Sequence, residues 1–69
     1  MIKFALMGTG RIGRMHAANI VDSEKSELVW VYDIDKVASQ EVACMTSSKN
    51  CESVEKILED PSIDAVLIS

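Results

Sequence analysis

The residues of this chain with the clearest chemical potential are Gly8-Thr9-Gly10-Arg11-Ile12-Gly13. An apolar run, Ile2 to Met7, precedes them, and a segment with helical spacing follows. A glycine loop between a strand and a helix is a setting in which backbone amides hold phosphates. Gly8 allows a tight turn off the strand. Gly10 leaves no side chain where a pyrophosphate must approach the backbone. Gly13 lets the helix lie close to the sheet. The N–H groups of the helix start carry partial positive charge and face the phosphates. Such a loop predicts an acid about 20 positions on, at the end of the next strand, to accept hydrogen bonds from ribose hydroxyls. Asp33 lies 20 residues after Gly13 and closes the run Leu28-Val29-Trp30-Val31-Tyr32. The candidate dinucleotide ligands are therefore Gly8, Thr9, Gly10, Arg11, Ile12, Gly13 and Asp33. Two readings fit Arg11, a phosphate contact and a solvated side chain.

The elements that must position these residues are legible in the periodicity. Ile2–Met7 is apolar except for Lys3, which suits a strand covered on both faces, as in a parallel sheet. A helix is predicted from about Gly10 to Val21, with Gly13, Ala17, Ile20 and Val21 on one stripe. Arg14 and Asn19 fall off that stripe. His16 sits beside it and reads as a packed or hydrogen-bonded helix histidine, because nothing near it in sequence would pair with it for proton transfer. The polar link 22–27 leads to a second strand, Leu28–Asp33, whose Trp30 and Tyr32 read as core.

Asp35 is a suitable cap for a second helix running to about Met45, with Ala38, Val42 and Met45 as its buried stripe. A short strand is expected around Lys49–Cys51. Ser53 caps a short third helix with Val54, Ile57 and Leu58 inward, and Pro61 ends it. Asp64–Ser69 closes the chain as a buried strand. The alternation predicts an α/β fold, a doubly wound parallel sheet with right-handed crossovers, of three or four strands and three helices.

Bulk properties narrow the function classes. With 69 residues, one small domain is the ceiling. A net charge of −4 with scattered Lys and Arg argues against a nucleic-acid or anionic-membrane partner. No segment reads as a signal peptide or a membrane helix, so a cytoplasmic location is expected. Cys44 and Cys51 read as ordinary thiols, and with His16 distant no metal site is expected.

These stretches resemble the N-terminal part of the glucose–fructose oxidoreductase / inositol dehydrogenase (Gfo/Idh/MocA) family. The resemblance rests on Gly8-Thr9-Gly10-Arg11-Ile12-Gly13-Arg14-Met15-His16-Ala17, on Val31-Tyr32-Asp33, and on Leu58-Glu59-Asp60-Pro61-Ser62-Ile63-Asp64-Ala65-Val66-Leu67-Ile68-Ser69. Inositol 2-dehydrogenases are the most similar members. The resemblance implies a nucleotide-binding Rossmann fold and NAD(P)-dependent oxidation of a polyol or sugar such as myo-inositol, by hydride transfer to the nicotinamide. It implies a homo-oligomer at full length. It adds Ser69 to the cofactor site, because the last pattern leads in that family into a turn that touches the cofactor. The family's catalytic lysine, in a Glu-Lys-Pro motif, has no counterpart here, and Lys36, Lys49 and Lys56 are not substitutes. Residues 1–69 thus read as the N-terminal part of a dinucleotide-binding domain, with the rest of that domain and a substrate domain outside them, and no catalytic residue is assigned.

The acid selects among nucleotides. A carboxylate at Asp33 accepts from the 2′- and 3′-hydroxyls of NAD and repels the 2′-phosphate of NADP. No Arg follows, and Lys36 is the only cation nearby. At an effective dielectric of about 20, two charges 4 Å apart interact by about 4 kcal/mol, so NAD is the expected cofactor. A function of another class uses the same loop and acid: a non-catalytic, NAD-sensing regulatory module. Flavin and S-adenosylmethionine binding are lesser rivals.

Overall fold

The computed structural model describes all residues, 1–69. Its elements are β1 (Ile2–Met7), α1 (Arg11–Asp22), β2 (Ser26–Tyr32), α2 (Lys36–Thr46), β3 (Lys49–Asn50), α3 (Val54–Glu59) and β4 (Ala65–Ile68). The four strands form one parallel sheet in the order β3-β2-β1-β4. The expected α/β architecture is present, with four strands and three helices. Asp33 lies one residue beyond β2 rather than inside it, and β2 begins two residues earlier than Leu28.

The sheet is covered on both faces, but unequally. On one face Leu6, Leu28 and Val31 meet Ala17 and Ile20 of α1 and Val42 and Ala43 of α2, with Phe4 and Leu67 packed against them. On the other, Ala5 meets Cys51 and Ile57, flanked by Met7, Trp30, Tyr32, Ile63 and Val66. Helices on both faces are what a parallel sheet with crossover connections requires. Trp30 and Tyr32 are half-buried, packed against this second cluster rather than inside it, and each ring has a lysine over it, Lys49 at 5.8 Å and Lys36 at 4.4 Å. Strict alternation fails in β2. The pairing with β1 slips between Phe4 and Ala5, from Leu28 to Trp30, so that Val29 is an extra residue. The bulge puts Leu28 and Val31 on the same face.

The predicted stripes need three corrections. Val21 is 52% exposed and Met45 71% exposed. Both line a cavity of about 310 Å³ between α1 and α2. The buried face of α2 is Ser39, Val42 and Ala43, while Ala38 is only half-buried. A serine is tolerated there because its Oγ donates to Asn50 Oδ1 at 2.7 Å on β3. Leu58 is 70% exposed; only Ile57 of α3 is fully buried, packed with Ala5 of β1 and Cys51.

Capping sets the helix boundaries. Asp35 accepts from the N–H groups of Val37 and Ala38, both at 3.1 Å, and Ser53 accepts from Lys56 at 3.3 Å. His16 is half-buried and makes no side-chain hydrogen bond. No three His, Cys, Asp or Glu side chains cluster as metal ligands, and no helix is long and apolar enough to cross a membrane.

Asp60 ties the α3–β4 connection to the sheet. Its Oδ2 accepts from Trp30 Nε1 at 2.8 Å and its Oδ1 from Ser62 Oγ at 2.7 Å. The indole N–H, then the Ser62 hydroxyl and amide, lower its pKa from 3.8 to about 2. A carboxylate depressed on folding adds stability above its unfolded pKa and loses that contribution as pH falls through the folded one. Trp30 is the only tryptophan, so its fluorescence reports the contact. Acid titration is expected to change that fluorescence with a midpoint near 2, and Asp60→Asn to abolish the transition; a midpoint at the ordinary carboxylate value would remove the Trp30 link.

Candidate nucleotide-binding site

The site forms where three strands end level. Gly8 N–H donates to the Tyr32 carbonyl at 2.8 Å, and Ser69 N–H donates to the Met7 carbonyl at 2.9 Å. The residues that follow β1, β2 and β4 therefore meet at the carboxyl edge of the sheet. They lie on either side of the point where the chain order reverses, with β1 next to β2 on one side and to β4 on the other. In open α/β sheets that crevice is where ligands bind.

The loop's shape comes from Gly8 and Gly13. Gly8 has φ +105°, a conformation that L side chains rarely adopt, and a Cβ there would run into the Ser69 carbonyl. A Cβ on Gly13 would run into the Gly8 carbonyl and lie 3.4 Å from Ser69 Oγ. The third glycine thus lets α1 close on the loop itself. Gly10 differs from both. Its φ is −68°, open to any residue, and a Cβ built on it meets nothing within 4 Å. Nothing in the chain requires glycine at that position.

Gly10 is also the N-cap of α1, and it offers no side-chain cap. The first hydrogen bond along the helix runs from Arg14 N–H to the Gly10 carbonyl at 2.9 Å. The amides of Gly10, Arg11, Ile12 and Gly13 have no acceptor within the chain, as expected for the first turn of a helix. Ser, Thr, Asp or Asn at the cap would occupy some of them. Arg11 and Ile12 are exposed at the same end, and Arg11 forms no ion pair.

Asp33 is drawn onto the loop. Its Oδ2 accepts from both the N–H and the Oγ1 of Thr9, each at 2.7 Å, and its Oδ1 accepts from Asp35 N–H at 2.9 Å. The Thr9 hydroxyl first, then the amides of Asp35 and Thr9, hold the Asp33 carboxyl below the usual carboxylate range, against a smaller opposing effect of burial. The acid is therefore ionised at neutral pH. These three donors leave part of its acceptor capacity of about four positions for a ligand. Lys36, the one cation near it in sequence, is turned away: its Nζ lies over the Tyr32 ring and donates to the Glu52 carbonyl at 3.2 Å.

The structure gathers Gly8, Thr9, Gly10, Arg11, Ile12, Gly13, Asp33 and Ser69 at this one edge. The periodicity set Arg14 aside, yet its Nε donates to the Thr9 carbonyl at 3.1 Å and its Nη1 bonds Glu41 at 2.6 Å, joining the loop to α2. Nothing in helical spacing marks that link.

A glycine loop feeding a helix, next to an acid at the end of the second parallel strand, defines the first half of a Rossmann nucleotide-binding fold. The chain belongs to the Gfo/Idh/MocA oxidoreductase family, with an NAD-binding Rossmann fold, whose model matches residues 2–69. It is 41% identical over 69 residues to a scyllo-inositol 2-dehydrogenase (NAD(+)) of Bacillus subtilis (strain 168), covering 97% of this chain and 20% of that protein. The myo-inositol dehydrogenase of Lactobacillus casei, solved with NAD(H) and myo-inositol, superposes with a TM-score of 0.92 at 30% identity, over 100% of this chain and 21% of that one. The myo-inositol dehydrogenase of Corynebacterium glutamicum ATCC 13032 gives 0.92 at 32% identity, with the same coverage of 100% and 21%. The chain thus spans about a fifth of the length of the relatives it matches.

The three glycines respond differently to a methyl group. Gly13→Ala is expected to lower stability by about 1–3 kcal/mol through overpacking against the Gly8 carbonyl. Gly10→Ala is expected to change it by less than about 1 kcal/mol, while weakening dinucleotide binding. Thermal melts and nucleotide titrations of the two variants check the contrast. Undiminished binding by Gly10→Ala would take the phosphate away from this loop.

Proposed function

We propose that this span is the cofactor-binding part of an NAD-dependent dehydrogenase that oxidises a polyol or sugar, with inositols as the first substrates to test. One observation carries the reading: an ionised Asp33 locked against a loop whose next four amides are unpaired. Gly8 to Gly13, with Ser69 beside them, form the diphosphate side of the cofactor site, and Asp33 forms its ribose side. The fit is supported by Gly10, where a side chain would fill open space that nothing in the chain occupies. When bound, the nicotinamide supplies the hydride acceptor. The residues here bind and orient the dinucleotide. The groups that move the substrate's proton belong to the remainder of the protein, as does the substrate pocket.

The inositol reading rests on the relatives, three of which are inositol dehydrogenases. With it go a cytoplasmic location, homo-oligomeric assembly at full length, and the absence of nucleic-acid or membrane partners. The reading of residues 1–69 as the N-terminal part of a larger dinucleotide-binding domain belongs to the same proposal.

The test is a spectrophotometric assay of the full-length gene product with NAD or NADP and a panel of inositols and sugars. NADH formation with an inositol, and weaker activity with NADP, is expected. Asp33→Ala is expected to weaken NAD binding at least about tenfold and to narrow the gap to NADP, because the carboxylate both accepts from the ribose and repels the phosphate. NAD binding without turnover on any polyol would return the regulatory-module reading. Tighter binding of NADP than NAD by the unsubstituted protein would overturn the cofactor assignment.

A further inference from the structure

Thr9 occupies the first variable position of the glycine motif, a position whose residue type the motif leaves open. It is nevertheless 2% exposed, and its hydroxyl is aimed at Asp33 Oδ2 at 2.7 Å. Its own amide donates to the same oxygen at 2.7 Å, so one residue chelates one carboxylate oxygen. Asp35 N–H holds the other at 2.9 Å. The far side of the same residue is fixed as well, by Arg14 Nε on the Thr9 carbonyl at 3.1 Å, with Arg14 braced by Glu41. No ion pair holds Asp33 instead: Arg14 pairs with Glu41, and Lys36 sits over Tyr32.

We propose that Thr9 is a positioning residue for cofactor choice, its hydroxyl fixing the Asp33 carboxylate as an ionised acceptor that favours a ribose diol over a 2′-phosphate. The inference rests on the dinucleotide reading above and deepens it. Two consequences separate it from a packing role. Without the hydroxyl, Asp33 keeps its charge-stabilising amides but loses its one side-chain donor, so the carboxylate gains rotational freedom and its pKa rises. A freed carboxylate turns from an approaching phosphate more readily than a chelated one, so discrimination falls more than stability does. The acid limb of NAD binding also moves. A carboxylate whose pKa is held down keeps accepting from the ribose at low pH; once the hydroxyl is gone, that ability is lost at a higher pH.

The experiment measures Kd for NAD and for NADP in the full-length gene product, in unsubstituted protein and in Thr9→Val, Thr9→Ala, Thr9→Ser and Asp33→Ala. The NAD titration is repeated across the acid range. Thr9→Val and Thr9→Ala are expected to lower the NAD-over-NADP ratio by about tenfold, on the scale of one hydrogen bond to a charged group. Both are expected to move the acid limb to higher pH, and Thr9→Ser to restore ratio and limb. The two alanine and valine variants give independent readings should one of them not fold. A ratio and acid limb that stay at the unsubstituted values in a folded variant lacking the hydroxyl, while Asp33→Ala erases the preference, would overturn the role of Thr9 and leave the site intact. A preference that survives Asp33→Ala would instead overturn the ribose assignment, and the inference with it.

Discussion

The carboxylate of Asp33 bonded to Thr9 is the interaction on which this edge of the molecule depends. Level strand ends bring the two residues together, since Gly8 N–H is already tied to the Tyr32 carbonyl. The chain then turns at Gly8 with positive φ, and Thr9 enters a buried position. Its N–H and hydroxyl need partners there, because a buried polar group without one costs about 1–3 kcal/mol. Asp33 satisfies both with one oxygen. The same bonds determine where the acid stands. Loop conformation and ligand chemistry are therefore one constraint, met by one side chain.

The loop is secured from its other side with weaker means. Arg14 reaches back from α1 to the Thr9 carbonyl and outward to Glu41 on α2. An exposed ion pair of this kind contributes roughly 0–1 kcal/mol. Its value lies in geometry, because it joins α1, α2 and the loop at the residue that Asp33 also holds. Between these fixtures the backbone amides from Gly10 to Gly13, at the start of α1, have no acceptor in the chain. An anion-binding site needs that combination of rigid donors and no competing acceptor.

Much of this was legible in the residues. β1 matches the apolar run Ile2–Met7 because Gly8 ends both, and the alternation of strands and helices carried the topology. The meeting of Asp33 with the glycine loop was legible through spacing, since the distance from Gly13 to Asp33 reflects one helix plus one strand. What periodicity could not carry was anything set by a neighbour distant in sequence. Ser39 is buried because Asn50 offers an acceptor, and Asn50 belongs to a strand of two residues. Leu28 shares a face with Val31 because β2 bulges against β1. Val21 and Met45 have core-like spacing, yet they border a gap between helices rather than fill one. The Thr9–Asp33 contact spans 24 positions and leaves no repeat to detect.

The glycine motif separates into two kinds of requirement. Gly8 and Gly13 are demanded from within, one by backbone angle and by Ser69, the other by contact with Gly8. A loop of this shape would need both even if it bound nothing. Gly10 has ordinary backbone angles, open space around it, and the cap position of a helix where Ser, Asp or Asn would stabilise the chain by a few tenths of a kcal/mol more. Each of those residues would also place an oxygen on the amides that a phosphate must reach. A glycine there gives up a cap without any internal compensation. Of the three, Gly10 alone has no requirement from within the chain, which is what the proposed phosphate cradle asks of it and a tight turn does not.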